Sequence, residues 1–81
     1  MPTVLRAKGF DFSFYSADLD EPPHVHIKKD GNEAKYWLAP IALASNRGFR
    51  DYELNRIEKL LLQYRGRIMR RWQEEDRKRD N

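Results

Sequence analysis

The chain has 81 residues, 36% of them charged, with 16 Lys/Arg against 13 Asp/Glu for a net charge of +3, and no cysteine. That length bounds it to one domain around one core, and the lack of cysteine excludes disulfide stapling and thiolate metal sites. No apolar run approaches the ~18 residues of a membrane span, and the first residues lack a signal peptide's apolar segment, so a cytoplasmic protein with no membrane contact is expected.

Residues 3–7 and 10–15 flank Lys8-Gly9, and residues 24–29 and 32–38 flank Asp30-Gly31. Each reads as two strands joined by a two-residue turn, for which Asp-Gly is a favoured signal. Residues 16–23 form an acidic loop between the hairpins. Alternation places Leu5, Ala7, Phe10, Phe12, Phe14, Val25, Ile27, Ala34, Tyr36 and Leu38 on one face, the core side. The other face then carries Arg6, Asp11, Ser13, Tyr15, His24, His26, Lys28, Glu33, Lys35 and Trp37. The turns pair Arg6 with Asp11 and Lys28 with Glu33. Extended across the loop, that register gives three rungs: Arg6-Asp11-Lys28-Glu33, Ser13-His26-Lys35 and Tyr15-His24-Trp37.

Pro40 ends the fourth strand, because it donates no hydrogen bond and biases Ala39 toward extended geometry. Residues 41–45 read as one helical turn, closed by Asn46-Arg47-Gly48. From Asp51 the period becomes helical: Leu54, Ile57, Leu61, Tyr64, Ile68 and Trp72 form one stripe suited to the phenylalanine face. A helix over 51–79 is ~43 Å long against ~17 Å for a five-residue strand, so its end is expected to overhang. Ile68, Met69 and Trp72 then lie beyond the sheet, with Gly66 a point where the helix could bend. Apolar groups left so call for a cover, either a cognate small protein or a second copy meeting the helix from Gly66 onward. The expected architecture is α+β: a four-stranded antiparallel meander, one short helical turn and one long C-terminal helix on the aromatic face. Residues 1–72 form the domain, and residues 73–81 form a charged tail expected to fray.

The only two histidines, His24 and His26, stand two apart on a strand and so share a face. An imidazole near its ordinary pKa of ~6.5 serves as acid or base, and cations hold phosphate. His24, His26 and Tyr15 are therefore the catalytic candidates, and Arg6, Lys28, Lys35 and Trp37 the candidates for binding nucleic acid or a protein partner. Tyr15 and Trp37 beside those cations supply the stacking surface of a single-strand platform and equally the anchors of a protein interface. His-x-His gives two metal-directed nitrogens, but Asp11, Asp20, Glu21 and Glu33 show no dedicated spacing, so neither metal nor cofactor is expected. On the helix, Arg56, Lys59, Gln63, Arg67 and Arg70 fall opposite the apolar stripe, where a phosphate backbone could dock.

The Met1-Pro2-Thr3-Val4-Leu5-Arg6 start, Phe14-Tyr15-Ser16, Glu21-Pro22-Pro23-His24-Val25-His26 and Glu33-Ala34-Lys35-Tyr36-Trp37-Leu38 carry a resemblance, as do Arg47-Gly48-Phe49, Glu53-Leu54 and Arg56-Ile57. Across residues 1–72 the chain resembles the bacterial domain-of-unknown-function family numbered four thousand one hundred and sixty. The resemblance implies a gene pair of toxin–antitoxin type, in which the chain has a second small protein as partner. It also implies a Ser-type helix cap where this chain has Arg50, leaving Asp51 and Glu53 to favour that end. Two readings follow. The first is a non-enzymatic interaction module that binds a cognate small protein or itself. The alternative is an RNA-binding or metal-independent RNA-cleaving protein, with His24 and His26 as acid and base.

Overall fold

Two glycine turns set the sheet. In the computed structural model, which describes residues 3–15 and 20–79, Lys8-Gly9 and Asp30-Gly31 all have positive φ (54°, 85°, 52° and 82°), as a tight two-residue hairpin turn requires. They join β1 (Thr3–Ala7) to β2 (Phe10–Ser13) and β3 (His24–Lys29) to β4 (Asn32–Leu38). The expected pairs Arg6 with Asp11, Asp11 with Lys28, Lys28 with Glu33, Ser13 with His26 and His26 with Lys35 all form. Residues 16–19 of the expected acidic loop, the first two residues of the chain and the last two of the expected tail lie outside the described residues.

The sheet has five strands, in the order β1-β2-β3-β4-β5, where four strands and a helical turn were expected. The segment read as a helical turn is β5 (Ile41–Arg47), which pairs antiparallel with β4 from Leu38–Ile41 to Glu33–Arg47. The two-residue connection Ala39-Pro40, whose peptide bond is cis, turns the chain straight back. A single helical turn has too few hydrogen bonds to offset its nucleation cost, whereas the edge of β4 offers a full ladder to the returning segment.

A bulge in β1 also adjusts the alternation. Thr3 pairs with Ser13 and Leu5 with Phe12, so Val4 is the extra residue and both Val4 and Leu5 turn inward, each 8% exposed. Tyr36 is fully buried and Trp37 only half-buried, as expected of the two faces.

One helix, α1 (Asp51–Arg79), covers the aromatic face. Asp51 and Glu53 lie in its positive first turn, and Glu53 Oε1 accepts the Arg50 N–H at 3.1 Å, the carboxylate half of a capping box, which offsets the missing serine. Asn46 braces the entry, accepting the Phe49 N–H (3.1 Å) and donating to the Phe49 carbonyl (2.9 Å). Leu54, Ile57, Leu60, Leu61, Ile68 and Trp72 are buried, with Tyr64 and Met69 packed at the margin.

The expected overhang is absent. Ile68 is 0% and Trp72 5% exposed, and the Trp72 ring meets Phe14 edge-on at 5.2 Å. Strand length was the wrong measure of the seat. Five strands ~4.8 Å apart and ~20 Å long give a diagonal of ~28 Å, and the buried stripe from Leu54 to Trp72 needs ~27 Å. The helix approaches both β1 and β5, the two edges of the sheet, as such a crossing demands. The chain therefore covers these apolar groups itself, and helical order continues through Arg79.

Candidate functional site

The histidine face is built by β3 and its neighbours. Pro22 and Pro23 lead into β3, and their carbonyls are both used: Pro23 accepts the Leu38 N–H at 3.0 Å, and Pro22 accepts the His24 Nδ1–H at 2.9 Å. His24 pairs with Trp37, and its ring lies 5.3 Å from His26, 5.4 Å from Trp37 and 5.4 Å from Trp72. Trp72 thus reaches Phe14 of the core and His24 at the same end of the sheet. His24 is 0% exposed. The expected placement on an open face holds for its register and not for its accessibility, because Trp72 of α1 packs against its ring together with Trp37 and His26.

His26 lies nearer solvent, its side chain 12% exposed, with Nδ1 3.2 Å from Glu33 Oε2. Tyr15 lies beyond the end of β2, so it does not extend the His24–Trp37 rung as expected. Its ring instead stacks on His26, centroids 4.3 Å apart at 30°. Lys28 Nζ sits 4.9 Å from the Tyr15 ring centre and 4.0 Å from Glu33 Oε1. A hydrogen bond with Tyr15, aided by the charges of Tyr15 and Glu33, raises the Lys28 pKa against the opposing pull of desolvation.

Each cation expected to hold phosphate already faces a carboxylate. Arg6 Nε lies 2.8 Å from Asp11 Oδ1, Lys28 faces Glu33, and Lys35 Nζ lies 2.9 Å from Glu21 Oε1 while resting 4.6 Å from the Trp37 ring centre. Each of these three cations is thus matched by a carboxylate. Arg6 is also remote from His24: it shares the Lys28 rung, four residues along β3 and two strands away, or ~16 Å. The structure therefore brings together His24, His26, Tyr15, Lys28, Lys35 and Trp37, and leaves Arg6 outside.

The Trp72 seal on His24 has no local signature in the sequence, and the length of the helix places Trp72 beyond the sheet. Nor was the Glu21–Lys35 pair anticipated, since it links a loop to β4 across the faces of two strands. Missing β5 hid Ser45 and Arg47, which pair with Lys35 and Glu33 and extend the polar rungs by one strand. Among the described residues no group of three or more His, Cys, Asp or Glu side chains could hold a metal ion, and no helix is long and apolar enough to cross a membrane.

A buried histidine, a sheet face carrying three lysine or arginine ion pairs and a single covering helix define a small α+β module whose exposed surface is organised by ion pairs and aromatic contacts. Residues 9–73 match the model of DUF4160, a domain of unknown function, and the chain belongs to that family. No curated protein and no solved structure matches the chain.

Proposed function

We propose that this chain is a non-enzymatic interaction module that binds a cognate small protein, or a second copy of itself, by extending its sheet at β5. The observation that carries the reading is the state of that edge. Every residue of β5 from Ala42 to Arg47 is exposed, Leu43 is 45% exposed, and residues 41–46 carry no charge. The outer side of an edge strand presents a row of N–H and C=O groups to any extended partner, and soluble proteins commonly blunt such edges with charge. The opposite edge, β1, has its bulge and the charged Arg6; on β5 the only irregularity lies opposite Lys35 and Tyr36, leaving regular stretches on either side. The partner implied by the family resemblance suits this edge better than the end of α1, whose apolar groups are occupied by the chain's own core.

The RNA-cleaving alternative draws less support. Its acid–base pair needs both imidazoles at solvent, whereas His24 is enclosed with Nδ1 engaged by Pro22, and the nearby cations are balanced. The test is co-expression of the tagged chain with the product of its neighbouring gene, followed by copurification and sedimentation of the chain alone and in mixture. Leu43→Lys, at an exposed position, should leave the fold intact and abolish association. Association that survives this change, or RNA cleavage that is lost on His26→Ala, would overturn the reading.

A further inference from the structure

Arg6, Lys28 and Lys35 on the sheet face are paired, and the cations on the outer face of α1 are not. Arg56, Lys59, Arg67 and Arg70 are exposed, and among the described residues no carboxylate lies within ion-pair distance of them or of Lys8. With Tyr52, and with the uncharged Gln63 between Lys59 and Arg67, the four helix cations fall on one face of the helix, a single stripe ~27 Å long. Arg56 already lies over the Tyr52 ring, 5.6 Å from its centre, and Tyr52 is 57% exposed. Beside this stripe a groove of about 390 Å³ runs between α1 and the β1–β2 turn, with Lys8, Arg56 and Lys59 around a floor of Phe10 and Leu60.

Lys8 strengthens the case for a ligand. It sits in the left-handed region at φ 54°, where glycine, asparagine or aspartate fits at lower cost, so the turn holds a long cation where turn chemistry favours a short side chain. The second hairpin, by contrast, uses Asp30 at the matching position.

We infer that this stripe and groove bind a single-stranded nucleic acid, with Lys8, Arg56, Lys59, Arg67 and Arg70 on successive phosphates and Tyr52 stacking a base. Charge complementarity selects a polyanion. The exposed tyrosine beside an arginine selects one that carries flat rings, which is how sequence-tolerant single-strand binders work. The site is distinct from the β5 edge, so both can be occupied together.

The experiment is fluorescence anisotropy of a labelled single-stranded RNA of about 12 nucleotides with the full chain, at about 50 and 200 mM salt, with a DNA strand of the same sequence and a duplex as further arms. Five phosphate contacts predict a logarithmic salt slope near ~−3.5, or ~100-fold weaker binding across that range. Arg56→Gln with Lys59→Gln should weaken low-salt binding at least about tenfold and reduce the salt effect to ~20-fold. Tyr52→Ala should weaken binding ~5-fold or more with the slope unchanged, and should not distinguish RNA from DNA. Arg71→Gln, which removes a cation already facing Glu74 and Glu75, should change binding less than about twofold. Undetectable binding at low salt would overturn the inference. So would equal competition by polyglutamate, tighter binding of the duplex, or a larger loss from Lys28→Gln with Lys35→Gln than from the helix pair. Circular dichroism melts check that each variant is folded.

Discussion

Replacing Trp72 tests how the end of α1 is seated. The side chain is 5% exposed, meets Phe14 edge-on at 5.2 Å and lies 5.4 Å from the His24 ring. Truncating a buried tryptophan to alanine typically costs ~3–5 kcal/mol, of which the aromatic pair contributes ~0.5–1.5. At ~0.05–0.15 kcal/mol per residue an 81-residue domain has ~4–12 kcal/mol of stability in total, so Trp72→Ala should remove a large share of it. Trp72→Glu, which adds an unpaired charge to the same enclosure, should prevent folding. Urea unfolding followed by far-UV circular dichroism measures the change, with Leu62→Ala, at a position 69% exposed on the same helix, expected within ~0.5 kcal/mol of wild type. A cost below ~1 kcal/mol for Trp72→Ala, or a folded and stable Trp72→Glu protein, would show that the helix end is not docked and that the seal on His24 does not exist.

Burial, reinforced by the charge of Glu58 and a hydrogen bond to it at 3.2 Å, pushes the Tyr36 phenol well above its ordinary value. A raised folded-state pKa means the protonated phenol contributes stability in full below the unfolded value of ~10, and that contribution is lost as pH rises from there toward the folded value. Tyr36→Phe should therefore cost ~1 kcal/mol at neutral pH and flatten the fall in stability above pH ~10, as read by urea unfolding across that range. Gly48, at φ +99°, has no room for a Cβ against the Asn32 side chain, so Gly48→Ala should destabilise by more than ~1–2 kcal/mol. Gly66 sits in the helix with nothing within 4 Å of an added Cβ, so Gly66→Ala should stabilise by ~0.5–1 kcal/mol in the same assay.

Local rules carried most of the sheet. Asp30-Gly31 and Lys8-Gly9 specify their turns, and a two-residue turn fixes the register of both its strands, so the rungs of Arg6, Asp11, Lys28 and Glu33 could be read from residue order alone. Binary alternation separated Tyr36 from Trp37 because one face is fully covered. Residues 41–47 were illegible for the opposite reason: an edge strand with most of its length in water has no alternation to show, and Ala, Leu and Ser are at home in either structure. The error over Ile68 and Trp72 has a separate source, since the helix is measured against the length of one strand while its seat is the diagonal of the whole sheet. His24 shows the limit of face assignment. Register places a side chain on a face, but whether the face is open there depends on a tryptophan 48 residues further along the chain, which local sequence cannot reveal.

Amide hydrogen exchange of β5, measured by NMR on the chain alone and in complex with the co-expressed product of its neighbouring gene, tests the interaction-module account most directly. In the free chain the outward amides of Ile41–Arg47 should exchange fast, and in the complex they should become protected together while the amides of β3 keep their rates. Unchanged exchange along β5 in a formed complex, with new protection confined to residues around His26 and Lys35, would contradict it.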